Sequence, residues 1–239
     1  MNIAFLLMGG KGERFGGDVP KQFTLIDDVP IFAYILKAMD DTETINKIII
    51  VCHEDWIEYV KNIAHGLSLN KVYGVVAGGE TRSKSILNGL LYSKDLVQYD
   101  DIVLLHDVTH PYIDEEGIKK VVHNAKKYGA ATLVSREYDT CYKINECGLI
   151  KGVEKREEIV VGASPEAFKF GELYDIYCSA TDEELNEMTS AGALAINHNI
   201  KMMSCDTDIL NLKLTYHRDY VLLTHLIHKY YFPETKLED

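Results

Sequence analysis

The chain has 239 residues, 46% of them hydrophobic and 26% charged, a balance that suits one well-cored α/β domain better than two independent ones. Its 25 basic and 37 acidic side chains leave a formal charge of −12, which works against binding nucleic acid or an anionic membrane surface. If the protein binds phosphates, it must do so with a few basic groups concentrated in a cleft.

Five scattered cysteines (Cys52, Cys141, Cys147, Cys178 and Cys205) form no CxxC pair and are odd in number. That argues against a disulfide framework and a zinc site, leaving reduced, structural thiols as the expectation. The N-terminus has no basic region followed by a long apolar run and a cleavage site. No run approaches about 18 apolar residues. A soluble cytoplasmic protein is expected, with no membrane span.

In chain order, short apolar runs alternate with longer amphipathic segments, the pattern of a mostly parallel sheet. Strands are predicted at Ile3–Met8, Ile48–Cys52, Val72–Ala77, Ile102–His106 and Ala131–Val134. Helices are predicted at Ile31–Met39, Trp56–His65, Ser83–Tyr92 and Glu116–Tyr128. Ile48–Val51 and Ile102–Leu105 are apolar throughout, as strands buried on both faces must be. Right-handed crossovers would line the strand C-termini along one edge, where ligands bind in such sheets. Residues 136–158 break the alternation and read as a projecting hairpin, Tyr142–Ile144 and Leu149–Val153 about an Asn145–Gly148 turn. A lone two-stranded hairpin is marginal in water, so it is expected to pack against something such as a second subunit. The tail from Pro233 to Asp239 is expected to fray.

After the first strand come Gly9-Gly10-Lys11-Gly12-Glu13-Arg14, then Pro20-Lys21-Gln22-Phe23. Glycines here let backbone N–H groups approach an anion, and Arg14 and Lys21 add charge for a triphosphate. An ordinary glycine-rich loop with solvated charges is the plain alternative. An NAD(P)-dependent oxidoreductase is a rival class, but Phe15 stands where a dinucleotide fingerprint needs its third glycine. No Gly-Lys-Ser/Thr follows to make a P-loop.

Gly79-Glu80-Thr81-Arg82-Ser83-Lys84-Ser85 follows a strand and opens a helix, with Ser83 or Ser85 available as its cap. Asp107, at the end of the fourth strand, suits Mg²⁺ on a nucleotide phosphate, since phosphates supply most of that ion's oxygens. Asp208 is a weaker second candidate. Asn211–Thr215 alternates in polarity and is expected to form a short strand, in which a lone Lys213 most often faces solvent.

Taken together, Gly-Gly-Lys-Gly-x-Arg and Pro-Lys-Gln-Phe resemble the signature of the CTP-dependent cytidylyltransferases that act on methylerythritol 4-phosphate or ribitol 5-phosphate. The resemblance runs from Ile3 to about Leu223, with its blocks in the family's order. It implies an α/β fold, a Rossmann-like nucleotidyltransferase domain with a mostly parallel mixed sheet, over residues 1–239. Residues 136–158 would be a dimerising β-arm, making the protein a homodimer.

The resemblance also implies roles. Arg14, Lys21 and Lys213 would be catalytic. Met8, Gly9, Gly10, Lys11, Gly12, Gly79, Glu80, Arg82 and Ser85 would bind the nucleotide. His110, Thr140, Arg156 and Thr189 would bind the acceptor, a small phosphorylated polyol, and Asp107 would hold Mg²⁺. This chain departs from the family at His110, where an arginine is usual, and at Thr189-Ser190-Ala191, which lacks an acidic residue. Ser164-Pro165-Glu166 replaces Thr-Pro-Gln and is expected to shape a loop under the cleft. His53-Glu54-Asp55-Trp56 and Ser179–Glu184 look more like the ribitol enzymes, which favours D-ribitol 5-phosphate over methylerythritol 4-phosphate. A degenerate, non-catalytic nucleotide-binding partner is a further alternative.

Overall fold

The computed structural model describes residues 1–10 and 19–231. Its centre is a seven-stranded sheet. Strand β1 (Asn2–Met8) lies between β4 (Lys47–Cys52) and β6 (Ile102–Asp107), parallel to both, and β5 (Val72–Ala77) extends it parallel beyond β4. On the other side, β10 (Val160–Lys169) runs antiparallel between β6 and β7 (Gly129–Arg136), and β11 (Lys201–Asp206) closes that edge parallel to β7. The expected mostly parallel mixed sheet is present.

Continuous apolar strands exist because both faces are covered. Ala4, Leu6 and Met8 pack to one side with α1 (Ile31–Asp41), α2 (Ile57–Gly66) and α4 (Glu115–Tyr128). Ile3, Phe5 and Leu7 pack to the other with α3 (Arg82–Ser93), α5 (Phe170–Ser179) and α7 (Ala191–Asn197). Fully burying each such Leu, Ile or Phe contributes roughly 1.5–3 kcal/mol. A three-layer arrangement follows from a sheet with no wet face. In α4, the Asp114 carboxylate accepts from the Glu116 and Gly117 amides, acids fill the first turn and Lys126 and Lys127 the last, matching the helix dipole.

The five predicted strands and four predicted helices all form, with ends shifted by no more than two residues. The hairpin forms as β8 (Tyr142–Ile144) paired with β9 (Ile150–Val153), and the Asn145 side chain accepts from the Cys147 and Leu149 amides to make its turn. Ile144, Leu149, Ile150 and Val153 are each more than 60% exposed, so the arm's apolar side chains face outward in this single chain. No described helix is long and apolar enough to cross a membrane. The tail from Pro233 lies outside the described residues.

Three expectations are corrected. Ser164-Pro165-Glu166 is no loop: it lies inside β10, and the register shift between Gly162 and Glu166 is where the chain accommodates a proline that cannot donate to a ladder. The segment from Asn211 to Thr215 is not a strand. The Leu214 amide donates to the Thr109 carbonyl (2.7 Å) and the Asn211 side chain reaches Ser135 and Gly162, so isolated bonds replace a ladder. The cap of α3 is Thr81, which accepts from the Lys84 amide, rather than Ser83 or Ser85. Beyond residue 158, β10, β11, α5, α6 (Asp182–Glu187), α7 and α8 (His217–Tyr231) escaped prediction. Several are short, and β10 carries both glycine and proline.

Candidate active site

The sheet order places a topological switch between β1 and β6, because the chain leaves β1 toward β4 on one side and returns to β6 on the other. A crevice opens outside the strand C-termini at such a point. Here it is a cleft of about 740 Å³, its walls including Met8, Gly79, Arg82, Asp107, Lys21 and Lys213. Gly9, Gly10, Glu80 and Ser85 also line it. Lys11, Gly12 and Arg14 lie outside the described residues.

Ser85 organises the Gly79 wall of the cleft. Its hydroxyl accepts from the Gly79 amide (3.0 Å) and donates to the Thr81 carbonyl (2.9 Å). A Cβ at residue 78 would meet this oxygen at 2.9 Å and one at residue 9 at 3.2 Å, so two glycine turns close on one buried serine. Gln22, buried, donates to the Met8 and Gly10 carbonyls, both at 2.9 Å, and pins the start of the glycine loop. Glu80 is exposed, its carboxylate held by Lys84 at 3.3 Å.

Arg82 lies between two carboxylates: its Nε reaches Asp107 at 2.8 Å and its Nη2 reaches Glu166 at 3.3 Å. Burial opposes its charge, yet the two acids raise its pKa, so it stays protonated. Burial likewise works against the Asp107 carboxylate, but Arg82 and then Lys213 hold it below the usual range. Glu166 is shifted the other way, upward, because burial outweighs its single contact with Arg82. Arg82 is thus charge-matched already. Lys21, which donates to the Leu214 carbonyl (2.7 Å), and Lys213, 3.7 Å from Asp107, carry the cleft's remaining positive charge among the described residues.

The loop after β6 is held by His106. The His110 carbonyl only accepts, so His106 donates to it from Nε2 (2.9 Å), and Nδ1 accepts from the Ser164 hydroxyl (3.0 Å). That hydroxyl in turn accepts from the Asp107 amide (3.2 Å). Burial pushes the His106 pKa down, consistent with this neutral tautomer. His110 is pushed down to about 4, by burial and then by His106 and Lys213, so it is neutral near pH 7. An arginine there would always be charged.

Thr140, Arg156 and Thr189 are exposed and do not line the cleft; nor does Asp208. Arg156 instead donates to the Tyr138 carbonyl at the base of the arm (2.8 Å). Sequence reasoning missed His53, which lines the cleft, and the supporting roles of Gln22, His106 and Ser164. The signal was present, since each lies in or beside a motif already singled out.

Among the described residues no group of three or more His, Cys, Asp or Glu side chains is arranged to hold a metal. Lys21, Arg82, Asp107 and Lys213 bring charge to a glycine-walled cleft, and chemistry resting on positioning and charge neutralisation is that of a nucleotidyltransferase.

Comparison with known proteins makes the class specific. A family profile described as 2-C-methyl-D-erythritol 4-phosphate cytidylyltransferase (IspD) matches residues 3–229, and the chain belongs to this family of cytidylyltransferases. The oxidoreductase alternative is thereby overturned. A ribitol-5-phosphate cytidylyltransferase from Streptococcus agalactiae serotype Ia is 30% identical over 95% of both chains. A 2-C-methyl-D-erythritol 4-phosphate cytidylyltransferase from Thermotoga neapolitana is 33% identical over 92% of this chain and 93% of the relative. In fold, the chain is similar to 4-diphosphocytidyl-2C-methyl-D-erythritol synthase from Anaerococcus prevotii, with a TM-score of 0.79, 19% identity and coverage of 95% and 96% of the two chains.

Proposed function

We propose that the protein transfers CMP from CTP to D-ribitol 5-phosphate, giving CDP-ribitol and pyrophosphate. The observation that carries the transfer is the meeting of Lys21, Lys213 and Asp107 beside the Gly9–Ser85–Gly79 turn at the β1/β6 switch point. The ribitol acceptor is supported by the relative from Streptococcus agalactiae and by the segment His53-Glu54-Asp55-Trp56, whose His53 lines the cleft.

An acceptor phosphate oxygen attacks the α-phosphorus in line, and pyrophosphate leaves. A phosphate monoester is ionised near neutral pH, so no general base is required. Lys21 and Lys213 neutralise charge on the α-phosphate and the departing pyrophosphate, joined by Arg14. Asp107 suits a Mg²⁺ ion that arrives on the nucleotide. One of its oxygens is taken by Arg82, while the other has no hydrogen bond among the described residues. A single carboxylate oxygen, with Lys213 3.7 Å away and no hydrogen bond, matches an ion that takes most of its ligands from phosphate and water. Such an ion would shield the triphosphate charge.

Thr140 and Arg156 reach the acceptor from a second copy of the chain, and the outward-facing Ile144, Leu149, Ile150 and Val153 supply the apolar contact that holds the dimer. His110, in the loop after β6, and Thr189, before α7, would contact the acceptor from outside the residues that line the cleft. A cytoplasmic location follows from the use of CTP.

The Thermotoga relative favours a second reading, the same transfer onto 2-C-methyl-D-erythritol 4-phosphate. Incubation with CTP, Mg²⁺ and a panel of alditol phosphates, following pyrophosphate, separates the two. Turnover with ribitol 5-phosphate supports the proposal, turnover only with methylerythritol phosphate replaces it, and no turnover with any acceptor overturns it.

A further inference from the structure

Glu166 sits on β10 opposite Leu105 of β6 and Thr132 of β7, beneath the cleft. Its two carboxylate oxygens hold different parts of the chain. Oε2 accepts from Arg82 Nη2 at 3.3 Å, in the first turn of α3 on the nucleotide side. Oε1 accepts from the Gly192 amide at 3.1 Å, in the first turn of α7, directly after Thr189 and Ser190. The side chain is only 14% exposed, so both bonds form largely out of water.

The approach to Gly192 is close enough that an added Cβ would push on the Glu166 carboxylate. A Cβ there would lie 2.8 Å from Glu166 Oε1 and 2.9 Å from the Met202 sulfur. In this chain a carboxylate serves both bonds at once. An ionised carboxylate accepts on both oxygens, whereas an amide presents one oxygen and turns its NH₂ toward the other donor. Asp107 holds Arg82 from the opposite side through Nε, so Arg82 keeps one partner if Glu166 is altered.

We propose that Glu166 is a positioning residue that couples the two halves of the site, setting the segment from Thr189 to Gly192 according to the position of Arg82. That this segment serves the acceptor rests on the function proposed above; the link from Arg82 to Gly192 does not. Glu166 does not line the cleft and acts on the reaction only through the two segments it joins.

The test compares amide hydrogen exchange, with and without CTP and Mg²⁺, in the wild type, Glu166→Gln, Gly192→Ala and the double variant. In the wild type, CTP slows exchange at residues 190–195 by about three- to tenfold, the range expected for coupling through a packed network. In Glu166→Gln, CTP still protects residues 79–82 but no longer protects 190–195. Gly192→Ala pushes on the same oxygen and has the same effect, and the double variant is no worse than the more affected single one. Where an alditol phosphate is turned over, Glu166→Gln raises its KM by about tenfold while the CTP affinity changes less than threefold. Should Glu166→Gln fail to fold, Gly192→Ala carries the same test.

Retained CTP protection at 190–195 in Glu166→Gln overturns the proposal, even if the melting temperature falls, because that is the mark of a merely structural role. Additive effects of the two substitutions overturn it as well. A wild type that binds CTP but turns over no alditol phosphate defeats the acceptor reading, while the exchange comparison still decides the role of Glu166.

Discussion

Lys21 donates to the Leu214 carbonyl across 2.7 Å, although 193 residues separate them in the chain. The bond fixes the turn after the glycine loop against the segment that carries Lys213. Lys21→Ala therefore removes a charge from the cleft and an anchor from the segment that carries Lys213. We expect kcat to fall by about 10²–10³-fold, as for loss of one preorganised stabilising donor, with a smaller change in the KM for CTP. Lys213→Ala should follow the same pattern in a steady-state pyrophosphate assay. Equal kcat in wild type and both variants would remove the assigned role.

Ser85 is predicted to set nucleotide affinity more than stability. In Ser85→Ala the Gly79 amide loses its acceptor, and an unpaired amide in a half-buried turn costs about 1–3 kcal/mol. The KM for CTP should rise by about tenfold, while the acceptor KM stays within about twofold. A rise confined to the acceptor would show that this turn serves the other substrate.

Asp107→Asn tests the metal assignment. The neutral amide still packs beside Arg82 but binds a hard cation poorly. We expect the Mg²⁺ concentration for half-maximal rate to rise by about tenfold or more. An unchanged Mg²⁺ dependence with lowered kcat would confine Asp107 to holding Arg82 and Lys213.

Asp219 gives the chain an acid-sensitive element. Its Oδ2 accepts from the Thr215 amide (2.8 Å) and the Tyr216 amide (2.7 Å), closing the start of α8 from the helix's first turn. Burial raises its pKa, but these two bonds outweigh it and lower the value below that of a free carboxylate. The folded pKa is thus below the unfolded value of about 3.9, so the contribution is complete above that pH and lost as pH falls through the folded pKa. Asp219→Asn should be less stable than wild type by about 1 kcal/mol at pH 7, and the gap should narrow as the pH falls below the unfolded carboxylate's range. Urea unfolding across pH 7 to 2 measures this, and a gap that does not vary with pH would rule it out.

The arm predicts an oligomeric state. Ile144 faces Ile150 across the hairpin, and both are more than 60% exposed. Replacing both by lysine should convert a dimer to a monomer in light scattering, with activity lost alongside if Thr140 and Arg156 act across the interface. A wild type that is monomeric at micromolar concentration would end that proposal.

Much of the first half of the fold is legible in the sequence because each signal is local. Ile48–Val51 is apolar at every position, and α4 has Asp114 before it and lysines at its end. The cleft residues Gly9, Gly79, Asp107 and Lys21 are legible for a related reason, since each sits in a short motif at a strand end. Legibility fails at β10, where Gly162 and Pro165 hide a strand held by its neighbours, and at Asn211–Thr215, where an alternating pattern suggested a ladder that no strand is there to complete.

The sequence by itself determined that alternating βα units build a parallel sheet and that the motifs carrying Gly9, Lys21, Gly79 and Asp107 gather at its C-terminal edge. Hydrophobic periodicity and strand-end glycines act over a few residues, and those interactions can be read in order along the chain. Only the tertiary structure decided which groups share that edge's charge. Arg82 meets Glu166 over 84 positions, and Lys21 meets Leu214 over 193. Such pairings come from the insertion of β10 between β6 and β7 and from the docking of the loop before α8. They depend on packing between distant segments, which leaves no period in the sequence.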